Sequence, residues 1–273
     1  MTAFDEVYQL PDPRGYFTLL SEYRTPHHAQ VPFRRIIEAR RAQLSGPAEP
    51  FTVLDLCSSY GINAALINHD LTLDELNEHY TSAEAAKLST DELIEWDRYF
   101  YAARRRPDAV RFLGLDKSAP ALSYARAVGL LDECFPENLE AAEPSAGLLR
   151  AARTIQLITL TGGASFLTPR TFHSLLGTAP AQVWVAAFVL RTVSYQDIEA
   201  CLESYGLTTE RAEATHPQRP FTDLAEQRYA IRAVTALGED PSGKEADGYF
   251  HARLHLSRPV GEKGVGLEEF VSV

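Results

Sequence analysis

Residues 51–70, FTVLDLCSSYGINAALINHD, hold the chain's densest set of groups able to do chemistry. Residues 51–56 form a short apolar run with one acid, Asp55, as a buried parallel strand reads. Cys57, Ser58, Ser59, Tyr60 and Gly61 follow, four of them small, and residues 62–67 read as the start of a helix. Strand, tight turn and helix bring backbone N–H groups and a helix N-terminus to one point, which suits a polar or anionic group. A second acid, Asp116, ends the apolar run that begins at Val110, ahead of Lys117, Ser118 and a helix with Pro120 in its first turn. An acid at that place can accept hydrogen bonds from both hydroxyls of a ribose. Equally, Asp116 or Ser118 can serve as the helix N-cap. A third strand-to-helix turn, Thr161-Gly162-Gly163, closes the run that begins at Thr154. It offers neither an acid nor a proline, only a small, open floor.

The elements that must position these groups are strands alternating with helices, the mark of an α/β protein with a parallel sheet. A βαβ unit needs only about 30 residues, yet the strand candidate after residue 70 begins at Val110. The intervening stretch, 71–107, reads as a helical insertion: Thr90 is a plausible N-cap, Arg104 to Arg106 suit a helix end, and Trp96, Tyr99, Phe100 and Tyr101 form an aromatic stripe. That stripe packs as core or serves as an interface. Residues 129–140 read as loop, short strand and turn. Residues 181–194 read as a buried strand, followed by a helix, a polar strand, a helix around 224–237 and an alternating strand over 249–257. His251 and His255 share a face of that last strand, with no acid or cysteine beside them in sequence.

Taken in order, the Asp55 turn and the Asp116 unit resemble the first two motifs of class I S-adenosylmethionine-dependent methyltransferases. That family writes the first turn as G-x-G-x-G. Here Cys57 and Ser59 stand at the first two glycine positions and Gly61 at the third. The pattern D-x-S-x-x-A-L-x-Y-A after the second strand is kept through Tyr124 and Ala125. The resemblance covers roughly residues 51–257, less the insertion. It implies a Rossmann-like α/β fold, a mostly parallel seven-stranded sheet with helices on both faces and an antiparallel terminal hairpin. It further implies one methyltransferase-like domain over 1–273, with 1–50 as an N-terminal helical cap.

By the same resemblance S-adenosylmethionine is the cofactor, with Asp55, Cys57, Ser58, Ser59, Gly61, Asp116, Lys117, Ser118, Asn138, Leu139 and Thr159 as its expected contacts. Asn138 and Leu139 would flank the adenine. Tyr23, His28 and Thr161 are the expected catalytic or acceptor contacts, since an N-terminal segment often closes over the site in this family. Local packing is the other account of Tyr23 and His28. No metal is expected.

Composition narrows the function further. With 26 basic against 37 acidic residues and a formal charge of −11 over 273 residues, the surface disfavours nucleic acid and anionic membrane. A small-molecule substrate fits, as does a homodimer or small protein partner met through 71–107. Three cysteines lie far apart with no C-x-x-C spacing, which argues against a disulfide framework or zinc site. With no long apolar run and no signal pattern, a cytoplasmic place is expected. The expected activity is methyl transfer to a small metabolite, in secondary metabolism. The alternative is ring-forming alkylation on the same fold, giving an aziridine or azetidine without methyl transfer and with or without the cofactor.

Overall fold

The structure, a computed structural model, describes residues 6–21, 28–44, 50–262 and 264–271. In chain order the elements are α1 (Arg14–Ser21), α2 (Gln30–Gln43), β1 (Thr52–Leu56), α3 (Ile62–Asn68), α4 (Leu73–Thr81), α5 (Thr90–Ala102), β2 (Arg111–Leu115), α6 (Ala119–Ala127) and β3 (Glu133–Phe135). There follow α7 (Ala146–Ala152), β4 (Leu157–Thr161), α8 (Pro169–Leu176), β5 (Trp184–Leu190), α9 (Gln196–Ser204), β6 (Leu207–Pro220), α10 (Leu224–Ala236), β7 (Tyr249–Pro259) and α11 (Leu267–Val271). The seven strands form one sheet in the order β3-β2-β1-β4-β5-β7-β6. The sheet is mostly parallel, and β7 runs antiparallel to both β5 and β6. Two compact units divide the chain: Met1–Arg24 with Gly46–Asn138, and Thr25–Ser45 with Leu139–Val273.

In the first unit β1 pairs in parallel with β2, and β2 with β3. Asp55 stands opposite Gly114, so Asp55 and Asp116 lie at the carboxyl ends of adjacent strands, as their motif order predicts. Gly114 is required by close approach. A Cβ there would lie 2.6 Å from Leu131 Cδ1 and 2.9 Å from Ser58 Oγ, so the absent side chain lets the turn after β1 press onto β2.

The insertion is helical, as expected, and both its helices begin with a capping box, Thr72 with Glu75 and Ser89 with Glu92. Ser89 therefore caps α5 in place of the expected Thr90, because only Ser89 has a Glu three residues on. The Thr90 hydroxyl instead donates to Asp12 Oδ2 at 2.8 Å. Arg14 ties the same carboxylate to the insertion: it holds Asp12 and donates to the carbonyls of Ala85 and Leu88. Phe17 of α1 stacks on Tyr80 at 4.7 Å.

At the centre of this packing sits Asp97, with 0% exposure. His79 Nε2 approaches its Oδ1 at 2.7 Å, Tyr80 and Tyr124 donate to its Oδ2, and the hydroxyls of Tyr80 and Tyr101 meet at 2.8 Å. A carboxylate so far from water persists only because several donors face it. The aromatic stripe is thereby divided. Tyr101 is core, Phe100 stacks on His79 at 3.9 Å, and Tyr99 projects with 78% exposure.

In the second unit β4 and β5 pair in parallel, and β7 lies between β5 and β6. Residues 184–189 are buried throughout, as a central strand requires. Phe33, Ile36 and Ile37 form the buried stripe of α2, and Phe33 meets Phe188 edge-on at 5.6 Å. The β6–β7 connection carries α10, and Phe221 N–H donating to the Gly248 carbonyl at 3.0 Å closes its base. Among the described residues no helix is long and apolar enough to cross a membrane.

Replacing the two tyrosines of α5 separates core from surface. Tyr101→Ala should lower unfolding free energy in urea by roughly 3–5 kcal/mol, the range for removing a buried large aromatic. Tyr99→Ala should stay within about 0.5 kcal/mol of the parent, so that any change in its sedimentation reports an interface alone.

Candidate functional site

The turn after β1 is defined by its backbone. Cys57 has φ 54°, Ser59 φ 50° and Gly61 φ 76°. Among the described residues Cys57 and Ser59 are the only non-glycine residues with positive φ. These are the three positions that the G-x-G-x-G pattern gives to glycine, so the left-handed backbone survives where two glycines do not. A side chain in that region costs about 1–2 kcal/mol per residue, so the surroundings must impose the shape.

Asp116 is one source of that constraint. Its Oδ2 accepts from Ser59 N–H at 2.9 Å and its Oδ1 from Ser118 N–H at 2.8 Å. Ser118 also caps α6, as the alternative reading foresaw: its hydroxyl oxygen accepts from Ala121 N–H, and its proton goes to the Tyr8 carbonyl. Asp55 is buried and accepts from Asn63 Nδ2 at 2.9 Å, in the first turn of α3. The N-terminal segment lies on this turn. Tyr60 directs its hydroxyl at the carbonyls of Val7 and Leu10 (2.6 and 2.9 Å), and the Tyr16 ring stands 5.7 Å from Tyr8 and 6.2 Å from Tyr60.

The residues present fit an adenosyl ligand. Ser58 Oγ and Ser59 Oγ are buried without a hydrogen-bond partner, an unmet polar demand at the turn itself. The Asp116 carboxylate keeps one lone-pair direction on each oxygen after its two amide bonds, room for two ribose hydroxyls. One departure from the glycine-rich pattern is plain: the Ser59 amide is already committed to Asp116. The first unit holds Asp55, Cys57, Ser58, Ser59, Gly61, Asp116 and Ser118 of the expected set, with Lys117 and Asn138 exposed in the same unit.

The second unit holds Leu139, Thr159, Thr161 and His28. Leu139 and Thr159 are buried, and Thr161 ends β4 half-buried. The next residue, Gly162, has φ 74°, donates to the Phe188 carbonyl, and faces open space where a Cβ would stand. His28 stacks on His216, ring centroids 4.9 Å apart, and the Nε2 atoms of both are buried without partners. Tyr23 lies outside the described residues. Among the described residues no group of three or more His, Cys, Asp and Glu is arranged to hold a metal. His255, expected to lack an acidic neighbour, has one: its Nδ1 lies 3.1 Å from Glu199 Oε1. Glu199 is 56 positions earlier in the chain, a pairing that strand spacing does not reveal.

Asn63, Tyr60 and Gly114 are site residues that motif reading missed. The spacing of Asp55 and Asn63, end of strand to first helical turn, was a usable signal for the first. The other two depend on which element packs over the turn.

Ser59→Gly and Cys57→Gly should each leave stability unchanged or raise it by up to about 1 kcal/mol, because glycine relieves the left-handed strain. Gly61→Ala should destabilise, since its Cβ would sit 3.2 Å from Ala125 Cβ at φ 76°. Burial, then the charges of Arg191 and Lys244 with the rings of His216 and His28, hold the His251 imidazole down at about 4. Between the ordinary histidine value of about 6.5 and that value the unfolded chain binds more protons than the folded one. Folding stability should therefore fall as pH drops from 6.5 to 4, and His251→Asn should reduce that slope in urea titrations at successive pH values.

No protein-family model matches the chain, and no curated protein matches it in sequence. Solved structures similar to it in chain path include the YcgJ protein from Bacillus subtilis, 10% identical over 85% of this chain and 99% of that one, with a TM-score of 0.49. The plantazolicin methyltransferase BpumL in complex with SAH is 9% identical, over 93% and 88% of the two chains, at 0.43. The StiE O-MT domain is 9% identical, over 89% and 76%, at 0.42. With β7 antiparallel between β5 and β6, the strand order β3-β2-β1-β4-β5-β7-β6, and a left-handed turn after β1 facing an acid at the end of β2, the chain has the Rossmann-like methyltransferase fold.

Proposed function

We propose that this protein is an S-adenosylmethionine-dependent methyltransferase acting on a small metabolite, in secondary metabolism and in the cytoplasm, with residues 1–273 serving as one methyltransferase-like domain. The observation that carries the reading is the preserved left-handed backbone at Cys57, Ser59 and Gly61. Two non-glycine residues hold a strained conformation that the strand-to-helix connection alone does not demand. Strain of this kind concentrates where a ligand is gripped.

Bound S-adenosylmethionine would supply a methyl group activated on a sulfonium centre. The turn over residues 57–61, with the N-terminus of α3 behind it, would take the methionine end. Asp116 would accept from the ribose hydroxyls with its remaining lone pairs. Ser59 would offer a hydroxyl proton to the same ligand, and Asn63 holds the Asp55 carboxylate in orientation. Lys117, Asn138, Leu139 and Thr159 are assigned to the cofactor, and Tyr23, His28 and Thr161 to the acceptor, on the resemblance alone. In-line displacement at a methyl carbon asks the protein for alignment and exclusion of water, not for a nucleophilic side chain. The aromatic cluster of buried Tyr60 with half-buried Tyr8 and Tyr16 would provide that exclusion beside the turn.

The test is calorimetric titration with S-adenosylmethionine and with its demethylated product. Wild type should bind both. Asp116→Asn, which keeps only one acceptor for the two amides of the turn, should weaken binding by about 1–3 kcal/mol and lower the melting temperature, with the circular dichroism of the folded protein that of the parent. Absence of binding at millimolar ligand would overturn the methyl-transfer reading. Two side chains now stand at glycine positions and the Ser59 amide is committed, which favours ring-forming alkylation as the second reading. Breakdown of S-adenosylmethionine in the cell without any methylated product would select it.

A further inference from the structure

We propose that the second unit carries a separate binding site for a small carboxylate with an apolar body, in the cleft between the end of β5, the start of α9 and the strands β6 and β7. It stands on the second unit alone and is independent of whether the chain binds S-adenosylmethionine. The cleft is open to solvent. Its apolar wall includes Val189, Val193 and Leu237. Its polar lining includes Arg191, Arg211 and Arg253 with one carboxylate, Glu239, beside Tyr195 and His255.

The hydrogen bonds around this cleft are one-sided. Both oxygens of Glu239 are used, Oε1 by Arg253 and Oε2 by Arg191 and Arg253. Both oxygens of Glu199 behind it are used by Arg211, with His255 on Oε1 as well. Arg191 is further bound by Glu245 and by the Asp240 carbonyl. The donors are not all matched. The Tyr195 hydroxyl is buried without a partner, and so is Arg253 Nε. Arg211 spends its Nε and one terminal nitrogen on Glu199 while its side chain stays 47% exposed, so its other terminal nitrogen remains for a ligand.

A buried donor without an acceptor is costly, and the cost ends when an acceptor arrives. The cleft therefore calls for a ligand that brings oxygen acceptors and negative charge at one end. A carboxylate oxygen can accept from the remaining terminal nitrogen of Arg211, and the apolar wall takes the rest of the molecule. Burial raises the Tyr195 phenol far above its ordinary value, so it remains a neutral donor. Burial is also the largest influence on Glu199 and works to raise it, but the hydrogen bonds from His255 and Arg211 outweigh it and leave the carboxyl at about 2. The Arg211–Glu199 pair thus stays ionised and rigid while the ligand docks.

The experiment uses the full chain without S-adenosylmethionine and follows 4-fluorobenzoate by ¹⁹F NMR line broadening, with 4-fluorobenzamide as the neutral isostere and acetate and inorganic phosphate as competitors. Saturable binding of the benzoate is expected, with the benzamide at least about tenfold weaker, as loss of a charged hydrogen-bonding partner implies. Acetate and phosphate should compete more weakly than unlabelled benzoate. Tyr195→Phe removes an unmatched hydroxyl at constant volume, so its melting temperature should hold or rise while benzoate affinity falls severalfold. Arg211→Gln should lower affinity about tenfold or more. The proposal is overturned by absence of saturable benzoate binding, by equal binding of the benzamide, or by unchanged affinity in both variants. Tighter competition by phosphate than by benzoate would also overturn it, marking a free-anion site with no use for the apolar wall.

Discussion

One carboxylate bridging two backbone amides holds the candidate site in shape. Asp116 draws Ser59 N–H to one oxygen and Ser118 N–H to the other, which joins the turn after β1 to the start of α6. The magnitudes are comparable. A left-handed side-chain residue costs about 1–2 kcal/mol, and a hydrogen bond to a charged group contributes about 1.5–3 kcal/mol. A family that keeps glycine at these positions needs no such offset. Here the acid at the end of β2 supplies it, and so belongs to the turn as well as to any ligand bound there.

The rest of the first unit follows from keeping that carboxylate in place. Tyr124 on α6 donates to Asp97, and Asp97 is held in turn by the helices of the insertion through His79 and Tyr80. Arg14 and Asp12 fasten the N-terminal segment to the same insertion, while Tyr60 and Ser118 fasten it to the turn. The insertion therefore does not project as a free appendage. It supports α6 on one side and α1 on the other, and only Tyr99 of its aromatic stripe is left largely to solvent.

Much of this fold was legible in the chain. Apolar runs that end in a single acid and are followed by small residues mark β1 and β2, and their order alone places Asp55 beside Asp116. What could not be read has a physical pattern. Propensity argues against left-handed Cys57 and Ser59, so the sequence suggested an eroded turn where the structure keeps its backbone intact. Asp97 carries no signal in the sequence, because its partners His79, Tyr80 and Tyr124 come from two other helices. Glu199 and His255 meet only once α9 lies against β7. The start of α5, by contrast, was readable: Ser89 and Glu92 spell a capping box that the neighbouring Thr90 obscured.

The chain contains two tryptophans, and they fall one to each compact unit. Trp96 is partly exposed and stacks on His79 at 4.2 Å. Trp184 is fully buried, donates to Glu262 Oε2 at 3.0 Å, and has Arg40 and Arg258 each 5.5 Å from its ring. Their surroundings differ enough in polarity and water access to give distinct emission, blue-shifted for Trp184 and red-shifted for Trp96. The protein thus carries its own pair of optical reporters, which lets the integrity of either half be followed without a label.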